Sequence, residues 1–181
     1  MLDPYYKDIT FDPTPLSLQG GFIAPPALEN MIFDSHFDSR DRMGRFITFI
    51  SRIVAPTTTP GGTFGCAGGV LPASSSGNKT ARGIGIGVET ALLVQGNGNG
   101  KPVTGKRISN ASTTTESAVY FVRPTVPPSA CRPKTPLTVS TVEVRKLADS
   151  NTVFNLTDWV GVPLYRYMDV TSGVLFPADW Y

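Results

Sequence analysis

Apolar positions along the chain come in short runs separated by long stretches of Gly, Pro, Ser and Thr. YYKDITF at 5–11 alternates apolar and polar positions and carries aromatic and β-branched residues, which predicts a strand. Residues 12–30 read as loop, with a short extended piece at Gly21–Ile23. NMIFDSHF at 30–37 reads as a short buried strand with a polar end. A helix follows. Ser39 is placed to cap it, and Met43, Phe46, Ile47, Ile50 and Ile53 fall at offsets 0, 3, 4, 7 and 10, one face of a helical period. Pro56 stops it. Residues 55–80 are rich in Gly, Pro, Ser and Thr, a long loop that reads as an insertion. ARGIGIGVETALLVQ at 81–95 gives two apolar runs broken at Gly87, a strand pair or one bent strand. GNGNGKP at 96–102 is a turn, and strand patterns recur at 117–123 and 137–147. The tail, 152–181, holds a short amphipathic piece around Asp158-Trp159-Val160 and aromatic turns. There is no internal repeat and no composition break. The expected architecture is one α/β domain over residues 1–181, with more strand than helix.

Composition narrows the function classes. The chain has 181 residues, 40% of them hydrophobic, enough for a real core. Only 17% are charged and the net charge is +2, too small to point to nucleic acid or an anionic membrane as the main partner. No apolar run is long enough to span a bilayer. MLDPYYKDITFD lacks the basic and apolar regions of a signal peptide. Cys66 and Cys131, each in a loop-like setting, form an even pair that a disulfide would join in an oxidising compartment. Three N-x-[ST] sequons, at Asn78, Asn110 and Asn155, sit in polar, turn-like contexts. Together these features predict a secreted glycoprotein whose signal peptide is not in this chain.

Charge concentrates in FDSHFDSRDRMGR at 33–45, around the one histidine, His36. A strand ending in Asp34-Ser35-His36 places polar side chains at the carboxyl end of a sheet, where ligands bind in open α/β folds. Histidine is the natural general base near neutrality; the ordinary reading is a hydrogen-bonded histidine with no catalytic task. Arg40, Arg42 and Arg45 crowd a helix N-terminus, which prefers anions. They read equally as a bidentate carboxylate site or as solvated ion pairs. Glu89 is the candidate acid to orient His36. A nucleophile is missing: no G-x-S-x-G occurs, Ser74, Ser75 and Ser76 lie in the long loop, and Cys66 lacks the strand and helix of a nucleophile elbow.

D-S-H-F-x-x-R-x-R-x-G-R at Asp34–Arg45, followed by A-R-G-I-G-I-x-x-x-T-A-L-L-V at Ala81–Val94, resembles the cyanophycinases, relatives of the peptidase E group of serine peptidases. The resemblance covers roughly residues 5–95. It implies the C-terminal part of a peptidase-E-like sandwich (flavodoxin-like, class I glutaminase-like), strand-rich, with a Ser-His-Glu triad and no metal or cofactor. It assigns His36 as the base, Glu89 as the acid, and Asp34, Ser35, Arg40, Arg42 and Arg45 to the substrate. That substrate is poly-aspartate carrying β-linked arginine, or a similar peptide. Arginines would take its carboxylate and Asp34 its guanidinium.

Four departures matter. The residue after the motif aspartate, often glutamine in the family, is Ser35 here, and the 57–80 segment reads as an insertion between the motif histidine and the acid. The family's acid falls in G-I-D-E-x-T-A. Here Gly87 and Val88 stand at the Asp and Glu positions, and Glu89 follows one place later, a shift that reverses side-chain direction on a strand; either the bend at Gly87 restores Glu89 to the site or the triad lacks its acid. The family's serine lies in a G-T-S-A-G elbow upstream of the histidine motif, so an N-terminal half or a partner chain would supply it. Three readings follow: the C-terminal part of a cyanophycinase-like serine hydrolase, cleaving β-Asp-Arg bonds; a catalytically degenerate member that binds or assembles; and a cysteine hydrolase using Cys66. A homodimer is compatible with the first two.

Overall fold

The computed structural model describes residues 26–54, 71, 73, 80–96, 98, 100–110, 112–113, 117–131 and 135–181. The expected strand at 5–11, the extended piece at 21–23, Pro56, Cys66, Ser74–Ser76, Asn78 and nearly all of the 55–80 loop lie outside these residues.

A short 3-10 turn at Pro26–Leu28 leads into β1 (Met31–Ser35), then α1 (Met43–Val54), β2 (Arg82–Ile86), β3 (Thr90–Gln95), β4 (Thr104–Ser109), β5 (Val119–Pro124), β6 (Val139–Leu147), β7 (Val153–Asn155), β8 (Leu164–Thr171) and β9 (Val174–Phe176). Six strands form one mixed sheet in the order β1-β2-β5-β6-β8-β9, and β3-β4-β7 form a second. β1 and β2 run parallel; all other pairings of named strands are antiparallel. The strand-rich, mixed architecture agrees with the periodicity.

β5 shows how the layers meet. Its alternating side chains enter two different cores. Tyr120 and Val122 join Phe46, Ile47 and Ile50 of α1 on one face. Val119 and Phe121 join Phe154, Leu156 and Trp159, beneath the smaller sheet, on the other. Phe121 stacks on Phe154 with centroids 3.8 Å apart, and Trp159 meets both edge-on. All five apolar positions of the predicted helical face are buried.

The glycines of β2 make room for the helix layer. A Cβ on Gly83 would come within 2.5 Å of Phe46 and Ile50, and one on Gly85 within 2.5 Å of the Phe37 ring. No side chain fits at either place without moving the helix or the loop before it.

The structure revises four expectations. β1 is not fully buried: it pairs with β2 alone among the described residues, and Phe33 is 47% exposed. The 81–95 segment is two strands that do not pair with each other; the chain leaves the large sheet at Gly87 and enters the small one at Thr90. The piece around Trp159 is a turn closed by Asn155 and Val160, whose main chains exchange hydrogen bonds of 2.7 and 3.2 Å. The TGKRIS segment and the tail supply strands β4, β8 and β9, in which exposed apolar residues (Ile108, Leu164, Tyr167, Val174 and Phe176) and the buried Arg107 break the usual alternation.

Candidate active site at the carboxyl edge of the parallel pair

β1 and β2 end together. Ser35 pairs with Ile86, and Phe37 extends the ladder by donating its N–H to the Ile86 carbonyl at 3.0 Å. His36 and the Gly87–Glu89 turn therefore leave the same edge of the sheet side by side. Both His36 (φ 52°) and Glu89 (φ 55°) adopt the left-handed backbone region and both are exposed. Such conformations cost non-glycine residues about 1 kcal/mol or more and persist where the surroundings over-determine them.

The surroundings of His36 do so. Its carbonyl accepts the Arg40 N–H at 3.2 Å, and the Phe37 carbonyl accepts the Arg42 N–H at 2.9 Å. The Asp38 carboxylate takes the Ser39 N–H at 2.8 Å and the Val88 N–H at 3.3 Å, which ties the loop after β1 to the turn after β2. Phe37 is fully buried against Phe46, Tyr120 and Tyr181.

The turn at 87–89 bears on the displaced acid. A Cβ at Gly87 would lie 2.8 Å from Ser117 Oγ and 3.0 Å from the Ala118 main chain, so glycine alone fits where the chain leaves the sheet. Ser117 Oγ bonds the Val88 carbonyl, and Thr113 Oγ1 donates to the Glu89 carbonyl at 3.2 Å. Because 87–89 is a turn, the strict alternation of a strand does not govern Glu89. The one-place shift does not by itself turn its side chain away.

Asp34 lies on the α1 face of β1 with its side chain 7% exposed. Arg45 grips it side-on, Nε to Oδ2 at 2.8 Å and Nη2 to Oδ1 at 2.7 Å, while Arg42 Nη1 reaches Oδ1 at 2.6 Å and the Ser35 carbonyl at 2.7 Å. The chain's own guanidinium groups thus occupy the carboxylate that the resemblance assigns to a substrate guanidinium. Asp34 also explains how a helix N-terminus tolerates these arginines. Arg45 remains half exposed although it is paired with Asp34, and Arg40 is exposed, so guanidinium groups at this edge still reach solvent.

Ser39 does not cap the helix. α1 starts four residues later, and Ser39 Oγ turns back toward the His36 carbonyl at 3.5 Å. The first helical amide, Met43 N–H, donates instead to the Tyr181 hydroxyl at 2.9 Å. Burial pushes the Tyr120 and Tyr181 phenols well above the ordinary tyrosine range, with the Asp38 charge adding to the effect on Tyr120. Nothing in the sequence pattern pairs Tyr181 with this loop.

Of the remaining predicted residues, Cys131 is 4% exposed. Asn110 is exposed, its Oδ1 accepting from Ser112 and Thr113. Asn155 is half-buried and spends its Nδ2 on Asp158 at 2.7 Å. Among the described residues no cluster of His, Cys, Asp and Glu is arranged to hold a metal, and no helix is long and apolar enough to cross a membrane. Comparison with protein-family models, with curated proteins and with solved structures returns no match.

Proposed function

We propose that this chain is the C-terminal part of a cyanophycinase-like serine hydrolase that cleaves β-Asp-Arg peptide bonds. His36 is the general base, Glu89 the acid that orients it, and the serine comes from an N-terminal segment or a partner chain. The observation that carries the reading is the common ending of β1 and β2. It brings residues 35–37 of the first motif segment beside residues 86–89 of the second at one sheet edge, although they are far apart in sequence. Arg40 and the exposed half of Arg45 are the carboxylate-binding surface; Asp34 and Ser35 hold the arginines in place. Among the described residues β1 pairs with β2 alone, and this and the exposed Phe33 suit a further parallel strand from the segment bearing the serine, since parallel strands normally lie inside sheets.

The test is to join this chain to an upstream G-T-S-A-G segment and assay release of β-Asp-Arg from cyanophycin. Hydrolysis that disappears with His36→Ala supports the reading; hydrolysis unaffected by His36→Ala removes His36 from the mechanism. A second reading, a degenerate member that binds without cleaving, draws on the filled Asp34 carboxylate and the acid one place late. It predicts retained binding of the polymer, measured by co-sedimentation, with no release of dipeptide by the joined protein.

A further inference from the structure

The loop from His36 to Arg42 contains two non-glycine residues in the left-handed region, His36 and Asp41 (φ 50°). Two anchors oppose its relaxation. One is Phe37, buried against β2. The other is Tyr181, which lies 138 residues from Met43 in sequence and accepts its amide N–H at 2.9 Å. Burial first, and then the nearby Asp41 carboxylate, push the same phenol above its ordinary range, so one hydroxyl lies beside the last left-handed residue of the loop and caps the first amide of α1. Its ring meets Phe37 and Tyr120 edge-on, with centroids 5.9 and 5.5 Å away. The Tyr181 main chain is itself fixed: its carbonyl oxygen accepts the Tyr165 hydroxyl at 2.7 Å, and Arg166 braces Tyr165 at 2.5 Å and Asp179 at 3.2 Å. A helix N-terminus without a side-chain cap leaves its amides unsatisfied. Here the segment after β9 supplies the missing acceptor.

We propose that Tyr181 is a positioning residue for the His36 loop: its hydroxyl fixes the start of α1, and with it the His36 main chain and the Arg42–Arg45 pair on Asp34. The catalytic meaning of this role rests on the function proposed above; the positioning itself is measurable without substrate.

Tyr181→Phe keeps the ring contacts and removes the hydroxyl. Loss of one hydrogen bond should speed hydrogen exchange of the Met43 amide about tenfold. Because His36 is the one histidine, its imidazole proton signals are unambiguous, and they should move or broaden in the variant. Thr157→Val deletes a comparable bond, to the Val103 amide at 2.9 Å, far from the loop, and should leave both signals unchanged. Asp41→Asn, which removes the charge beside the phenol, should give a smaller change in the same direction, and it serves as the test if Tyr181→Phe does not fold. Unchanged Met43 exchange and unchanged His36 signals would overturn the proposal, as would equal changes in Thr157→Val. In the joined enzyme, Tyr181→Phe should lower kcat about tenfold with little change in KM. If the exchange and imidazole changes occur but the joined protein never cleaves cyanophycin, the positioning stands and the hydrolase reading fails.

Discussion

At the scale of single residues, the Asp34 carboxylate receives three guanidinium N–H groups, at 2.6, 2.7 and 2.8 Å. Removing it strands a largely buried Arg42 but lets the half-exposed Arg45 recover water. Asp34→Ala should therefore cost about 1–2 kcal/mol, below the full penalty of a buried pair. Urea unfolding of the isolated chain checks this. His36→Ala should behave in the opposite way. An exposed side chain on a loop held by main-chain bonds contributes little to stability, within about 0.5 kcal/mol. The same change should lower the activity of the joined enzyme by about 100- to 10,000-fold. Matched denaturation and rate measurements separate the two residues: Asp34 organises the edge, and on the function proposed above His36 carries the chemistry.

At the scale of elements, the packing of α1 on β2 depends on two positions without side chains. Gly85→Ala pushes a methyl group into Phe37, and the expected loss is about 1–3 kcal/mol, seen as a lower thermal midpoint. The helix itself was legible because its apolar face follows a single period, from Met43 to Ile53. The strands at 117–123 and 137–147 were legible for the same reason, since burial on one or both faces selects β-branched and aromatic residues. Ser39 misled because it satisfies the local rule for a cap while the actual acceptor, Tyr181, comes from the far end of the chain. β4 and β8 were missed because their inside and outside do not follow polarity: Arg107 is buried in β4, while Ile108, Leu164 and Tyr167 face solvent. The turn after β6 offers a pH test. Thr152 and Asn151 hold the Asp149 carboxyl below its ordinary value of 3.8, the Thr152 side chain first among the causes. The folded turn binds its proton less readily than the unfolded chain does. Its support is therefore complete above 3.8 and fades as the pH falls through the lower, folded value. Exchange of the Asn151 and Thr152 amides, corrected for intrinsic rates, should accelerate in that acid range, and Asp149→Asn should abolish the dependence.

At the scale of the whole molecule, Cys131 sits in the helix-side core at 4% exposure, and we propose that it pairs with Cys66. Intact mass under non-reducing conditions should then be lighter by two hydrogens than after reduction; equal masses would refute the pairing. Such a bond would join position 66 covalently to the helix-side core and narrow the unfolded ensemble. The polar edge, in contrast, draws on parts that the sequence separates widely: residues 34–45, 87–89, Thr113, Ser117 and Tyr181. Their meeting depends on strand order, which short-range periodicity does not encode.

The double burial of β5 has a thermodynamic consequence. Tyr120 and Val122 belong to one core and Val119 and Phe121 to the other, yet they are consecutive links of a single strand. Neither layer can melt while the other keeps that strand in place. Heating should therefore give one calorimetric peak, with the enthalpy under it equal to the enthalpy derived from its sharpness.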